Sequence, residues 1–478
     1  MAIAEAVPID DVAVERPAKV VWALAWPAVL LNSLQVINTL LDRGFTGRLT
    51  EAALTGYGAS TVVSFLMFSI GMAVATGATA LVSRAFGAGD IPEYRRGAQE
   101  SLNVAIVGGL LIGGLTWLVK GFVAGLVLPH TDIEAQRQMV SYLSAYAFGL
   151  PALFVIQTLA GALRGIGDTK SPMYISGIQI ALHITFNFLL IFPPRHVGLV
   201  TIPGAGLGLM GAACALAGSA VLSAIGYVCY VPRTPLGRLS PWRLPNPHWA
   251  FRILRIAVPA AVMGCLRVFS LTAFTLVLKQ VDDASSAIAA MSIAFAFESI
   301  MFMPAFGLSA ASAALVGQSL GMRQPDRAER LAWTAGNHGA LVTICLASPI
   351  YFSAPALSLA ITDGKIAISH NAALLLRCLC ATEFLFAYAM IMLGAMQGAG
   401  DTRRPLWISI GSLWGLRVPM AICLALPAGF LLGGVVPMPL GFGLGAFGAW
   451  IAMSLSQAVQ GIWAILAFKS GLWKTATV

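Results

Sequence analysis

Twelve apolar runs divide the chain, at 20–42, 54–80, 102–128, 139–162, 173–192, 208–230, 256–278, 287–315, 333–360, 373–396, 406–431 and 442–468. A helix rises about 1.5 Å per residue, so about 20 apolar residues cross about 30 Å of hydrocarbon. Each run therefore predicts a membrane-spanning helix. The first is the most informative. Val20 to Leu41 is 22 residues without an ionisable side chain, and Asp42 follows directly. Gln35, Asn38, Thr39 and Asp42 fall near one helical face. A helix facing lipid all round would not carry such a stripe, so this one should line a protein interior or a wet cavity.

Composition agrees with the pattern: 58% of residues are apolar, only 10% are charged, and the mean hydropathy is +0.82. A soluble domain carries about 25% charged residues. An all-α integral membrane protein is expected, with the first run retained as a helix and not cleaved as a signal peptide. The seven cysteines, Cys214, Cys229, Cys265, Cys345, Cys378, Cys380 and Cys423, show no C-x-x-C spacing and read as packing residues.

The net charge of +9 does not call for a nucleic-acid partner, because loop topology accounts for it. With the N-terminus placed in the cytoplasm, 19 basic residues fall in inside connections and six in outside ones (Arg43, Arg48, Arg137, Arg195, Lys279 and Lys365). Lys120, Arg267, Arg377 and Arg417 fall within the spans. The asymmetry follows the positive-inside rule and places both termini in the cytoplasm of a cell-membrane protein. The organisation expected is a tail at 1–19, a six-helix lobe at 20–231, a linker at 232–252, a second lobe at 253–468 and a tail at 469–478.

The lobes repeat each other. Leu81–Gly89 is echoed by Leu315–Arg323 at an offset of 234, and Gly161–Lys170 by Gly394–Arg403 at 233. Pro27 in the first helix matches Pro259 in the seventh, at 232. An even number of helices per copy gives parallel repeats about the membrane normal, which with a cleft between them is a transporter layout.

Six motifs then carry a resemblance: V-I-N-T-L-L-D-R-G-F-T-G at 36–47, L-V-S-R-A-F-G-A-G-D at 81–90 and L-R-G-I-G-D-T-K-S-P at 163–172, then F-M-P-A-F-G at 302–307, L-V-G-Q-S-L-G at 315–321 and Q-G-A-G-D-T-R-R-P at 397–405. In this order the chain resembles the multidrug and toxic compound extrusion (MATE) family, with an acidic first helix like that of its DinF-like branch. The resemblance implies two six-helix bundles and a cation-coupled antiporter that expels amphipathic, often cationic compounds on an inward Na⁺ or H⁺ gradient.

Asp42 is the leading ion-coupling candidate. A bare carboxylate inside the membrane is expensive, and a bound H⁺ or Na⁺ removes that cost, so ion state can bias which way a cleft faces. The residues alone leave a second reading open, a helix-end carboxylate beside Arg43 and Arg48; the resemblance places the aspartate in a cation site. His183 and Asn187, one turn apart, share a face of helix five. Family members often carry Asn at the position of His183, Asn or Asp at that of Asn187, and Thr where Leu216 stands. Na⁺ prefers oxygen ligands, whereas imidazole offers nitrogen and accepts a proton. The expected coupling ion is therefore H⁺, with Na⁺ the alternative.

In the second lobe, Arg267 stands where sodium-coupled NorM-like members carry Glu, which reverses the charge. Glu298, Glu383 and Arg417 are further intramembrane charges, read as coupling or structural groups, with Arg267–Glu298 the preferred ion pair because helices seven and eight are consecutive. Gln35, Asn38, Met67, Tyr142, Tyr146, Phe295 and Met303 are the substrate-cleft candidates, since adaptable apolar side chains suit varied ligands. G-I-G and G-A-G lack a βα context, and the sequence has no Walker lysine, metal cluster or nucleophilic triad. A secondary transporter without cofactor is expected, acting as a monomer in a lipid bilayer on amphipathic small molecules. The alternative is a flippase or exporter of a lipid-linked or endogenous metabolite.

Overall fold

The computed structural model describes residues 16–197, 200–240, 243–362, 365–429, 431–432, 436–437 and 441–476. Most of the expected N-terminal tail, residues 241–242 of the linker and residues 477–478 of the C-terminal tail lie outside the described residues. Among the described residues twelve helices are long and apolar enough to cross a membrane: α1 Pro17–Thr46, α2 Glu51–Gly87, α3 Ile91–Val127, α4 Ile133–Gly165, α5 Lys170–Leu190 and α6 Gly208–Tyr230 in the first half, then α7 Pro247–Leu278, α8 Ala284–Gly321, α9 Pro325–Ile361, α10 Ile366–Gly398, α11 Arg403–Ala425 and α12 Gly445–Lys469 in the second. The starts are chemically marked. Thr50, Asp90, Asp132 and Asn246 each accept a backbone N–H of the first turn, and Pro17, Pro247 and Pro325 open their helices, where a missing N–H costs nothing.

Two features depart from the uniform rods that the apolar runs suggest. Antiparallel two-stranded hairpins, β1 Arg195–Val197 with β2 Val200–Ile202 and β3 Leu431–Leu432 with β4 Val436–Pro437, join α5 to α6 and α11 to α12 at the end of the bundle opposite the linker. The expected eleventh run, 406–431, is correspondingly shorter as a helix. Within α11, Ile410–Arg417 is wound as a π-helix.

In the first half α4 packs on α2, α3 and α6, and α5 on α6; in the second, α10 packs on α8, α9 and α12, with α11 against α12. Small residues permit this closeness. A Cβ at Gly161 would meet the Ala75 carbonyl at 2.7 Å, and the adjacent Thr79 hydroxyl donates to the Gly161 carbonyl at 3.0 Å. The halves are not sealed off from each other. α1 packs on α5 of its own half and more extensively on α8 of the other, while α7 packs on α2.

At the linker end the halves meet tightly. Side chains at Gly87, Gly317 or Gly321 would overlap the Gln318 carbonyl, the Ser83 hydroxyl and the Arg84 carbonyl respectively. Gln318, 1% exposed, donates across the seam to the Gly165 carbonyl at 2.9 Å. Arg84 of α2 donates to the carbonyls of Ala476 at 2.6 Å and Ala399 at 3.3 Å. The linker end is therefore closed.

Candidate functional site

α1 and α5 pack together, which the sequence left open, and their polar faces meet. Asn38 and Asp42 stand one turn apart on α1, as His183 and Asn187 do on α5. The Asn187 amide donates to Asp42 Oδ1 at 2.6 Å and lies 3.3 Å from His183 Nε2. His183 Nδ1 is 3.2 Å from Asn38 Oδ1, and its Nε2 is 3.9 Å from Asp42 Oδ1. A single proton arrangement satisfies these contacts: His183 neutral with its hydrogen on Nδ1, and Asn187 giving one amide hydrogen to the carboxylate and one to Nε2. Asn187 Oδ1 is left buried without a partner among the described residues.

Asn38, His183 and Asn187 are buried, whereas the Asp42 side chain keeps 18% of its surface. Asp42, His183 and Asn187 enclose a cavity of about 20 Å³ with Thr46, Tyr57, Tyr142, Ile191, Ala212 and Leu216, room for one water-sized occupant. Among the described residues no lysine or arginine lines it. Leu216 presents apolar surface there, as its side chain requires. Thr46 and Tyr57 were missed by the sequence reading. Thr46 continues the Asn38–Asp42 ladder by one further turn and could have been found that way; a lone tyrosine in an apolar run such as Tyr57 gives no signal.

The cleft candidates scatter. Tyr142 and Tyr146 stack with centroids 6.0 Å apart inside the core of the first half, and Tyr146 donates to the Ser64 carbonyl at 3.1 Å. Tyr142 reaches the small cavity beside Asp42 rather than an open surface. Met67 and Phe295 flank the cores of their halves, half-buried; Met303 is half-buried and Gln35 exposed. Asn38 belongs to the His183 network.

The expected ion pair between Arg267 and Glu298 does not form. Glu298 instead accepts from the Gln457 amide of α12 at 2.9 Å, and among the described residues Arg267 reaches only the Met390 sulfur, at 3.9 Å. The physical reason is packing: α7 and α8 are neighbours in sequence but barely touch, α7 lying on α2 and α8 on α10 and α1. Arg417, not Arg267, is the cation within electrostatic reach of Glu298, and its Nε donates to Ser456 at 2.8 Å. Glu383 is 0% exposed, close enough to Glu298 to interact, and neither of its carboxyl oxygens has a partner among the described residues. Glu298, Glu383 and Arg417 thus form one buried polar cluster in the second half.

Comparison with known proteins follows this twofold design. The MatE family model matches residues 27–189 and again 259–423. Among curated relatives, the chain is 28% identical over 95% of its length, and 93% of the relative's, to a probable multidrug resistance protein NorM of Thermotoga maritima. It is 25% identical to the multidrug resistance protein PmpM of Pseudomonas aeruginosa, over 84% of this chain and 83% of that one. Of solved structures, a MOP superfamily transporter from Pyrococcus furiosus superposes with a TM-score of 0.83 at 19% identity, covering 95% of both chains. An outward-facing multidrug resistance MATE family transporter superposes at 0.82, with 18% identity over 95% of this chain and 96% of that one. The chain belongs to the MatE family and is a twelve-helix membrane transporter.

Proposed function

We propose that the chain is an antiporter that exports amphipathic, cationic organic compounds in exchange for H⁺. It works as a monomer in the cell membrane, with both termini in the cytoplasm. The observation that carries the reading is the Asp42–Asn187–His183 contact around a cavity the size of one water. A proton entering there has two adjacent acceptors, the Asp42 carboxylate and the His183 Nε2 lone pair. Beside the oxygens of Asp42, Thr46 and Asn187, the His183 nitrogen and the apolar Leu216 supply no oxygen, which disfavours Na⁺ relative to H⁺. Taking up the proton removes a charge from the α1–α5 contact and lowers the cost of burying it. Because α1 also packs on α8, that change is passed to the seam between the halves. Export of drug-like compounds is supported by the names of the multidrug resistance relatives, and a cationic character by the lack of lysine and arginine in the cavity lining among the described residues.

The test is substrate uptake into proteoliposomes under an imposed pH gradient, with Na⁺ first absent and then present. Accumulation that runs on ΔpH alone is expected. Accumulation that requires a Na⁺ gradient would refute H⁺ coupling while leaving the transporter assignment intact.

A further inference from the structure

Away from the Asp42 site, a cavity of about 320 Å³ lies at the linker end of the second half. It is walled by the start of α7, the α10–α11 turn and the 3-10 turn Leu472–Thr475 that follows α12. Arg255, Arg403 and Arg404 all line it. The acidic residue of the lining, Asp401, is already engaged: it pairs with the Arg404 guanidinium and accepts the Arg404 backbone N–H at 3.3 Å. Arg255 and Arg403 are exposed and make no hydrogen bond or ion pair among the described residues. Two guanidinium groups thus converge on one cavity with no counter-charge of their own among the described residues, an arrangement that an anion stabilises.

The rim identifies the anion's other half. Trp407 is 65% exposed and Leu472 55% exposed, and both line the same cavity. A tryptophan at the end of a membrane helix sits where hydrocarbon gives way to headgroups. A basic cavity with an apolar lip at this level matches a molecule that carries both a phosphate and an acyl chain. The wall at Ala476 is held in place from the first half, since the Ala476 carbonyl accepts from Arg84.

We propose that this cavity binds the phosphate headgroup of an anionic membrane lipid, with Arg255 and Arg403 on the phosphate and the acyl chain along Trp407 and Leu472. The test uses the full chain, purified and offered equal amounts of phosphatidylglycerol and phosphatidylcholine with matched acyl chains, with bound lipid read by native mass spectrometry. Phosphatidylglycerol should be retained preferentially. The preference should fall about five-fold for each of Arg255→Gln and Arg403→Gln, and remain in Arg243→Gln, which alters a linker arginine outside the cavity. Because Arg255 and Arg403 are exposed and bonded to nothing among the described residues, these variants should fold, as monodisperse elution would confirm. Trp407→Ala should also weaken retention, and inorganic phosphate at the same concentration should not displace the lipid. An unchanged preference in folded Arg255→Gln and Arg403→Gln would overturn the site. Displacement by inorganic phosphate, with no effect of Trp407→Ala, would assign the cavity to a free anion and overturn the lipid reading.

Discussion

Asn187 holds the Asp42 carboxylate at 2.6 Å while its own side-chain oxygen stays buried without a partner among the described residues. The amide therefore senses whether Asp42 carries a charge. Asp42→Asn keeps the shape and removes the charge change, so substrate binding should persist while uphill transport falls to the equilibrium ratio. Equilibrium binding and ΔpH-driven accumulation, measured on the same variant, check this; a variant that still concentrates substrate would remove Asp42 from the coupling step.

His183→Asn should be milder. It exchanges a nitrogen for an oxygen donor beside Asp42, which shifts the donor set toward what Na⁺ prefers. Transport on ΔpH should be reduced but present, and the response to Na⁺ should be greater than the parent's. Parallel uptake assays with each gradient imposed separately measure both effects.

The second-half cluster makes a thermodynamic prediction. Glu298 and Gln457 share a hydrogen bond, whereas Arg267 and Glu298 do not. A double-mutant cycle on Glu298 and Gln457 should give a coupling of about 1–3 kcal/mol, and one on Arg267 and Glu298 no more than about 0.5 kcal/mol. Thermal unfolding of the four variants in each cycle supplies the numbers.

Closure of the linker end depends on the absence of a side chain at Gly317, where a Cβ would overlap the Ser83 hydroxyl. Gly317→Val should disfavour the closed state by about 1–3 kcal/mol. Spin labels placed on α2 and α8 near that end should then report a longer distance population that the parent does not show.

Lys474 tests the docking of the C-terminal turn. Its hydrogen bond to Glu329, with a further pairing to Asp326, holds its ammonium above the ordinary value of 10.5. A raised value means that the pairing's contribution is complete below that range and is lost as pH rises through it. Protease sensitivity of the segment should be the same at pH 7 and 9 and increase only at more alkaline pH. Lys474→Met should show raised sensitivity already at neutral pH.

Much of the fold was legible because membrane helices must satisfy their own backbone and show it as apolar length. The first run, drawn at 20–42, is α1 at Pro17–Thr46. Real helices run past the hydrocarbon, which is why α8, drawn at 287–315, extends over Ala284–Gly321. The β3–β4 hairpin was hidden because its strands are as apolar as the helix before them. Pairs four residues apart, such as His183 with Asn187, were readable from helical period alone. Contacts between helices were not: adjacency in sequence suggested Arg267 with Glu298, and the packing of α7 on α2 put them out of bonding range.

The π-wound stretch of α11 changes the correspondence between the halves. Lys170-Ser-Pro and Arg403-Arg-Pro start equivalent helices, α5 and α11. His183 lies eleven residues after Pro172 and Arg417 twelve after Pro405, and a π turn absorbs one extra residue without lengthening the helix. Counted from the shared proline, and allowing for the extra residue of the π stretch, Arg417 corresponds in sequence to His183. At matching positions of the two repeats the first thus carries an imidazole and the second a guanidinium. The repeat is therefore one of helix order and not of side-chain chemistry, and a substitution at His183 has no equivalent at Arg417.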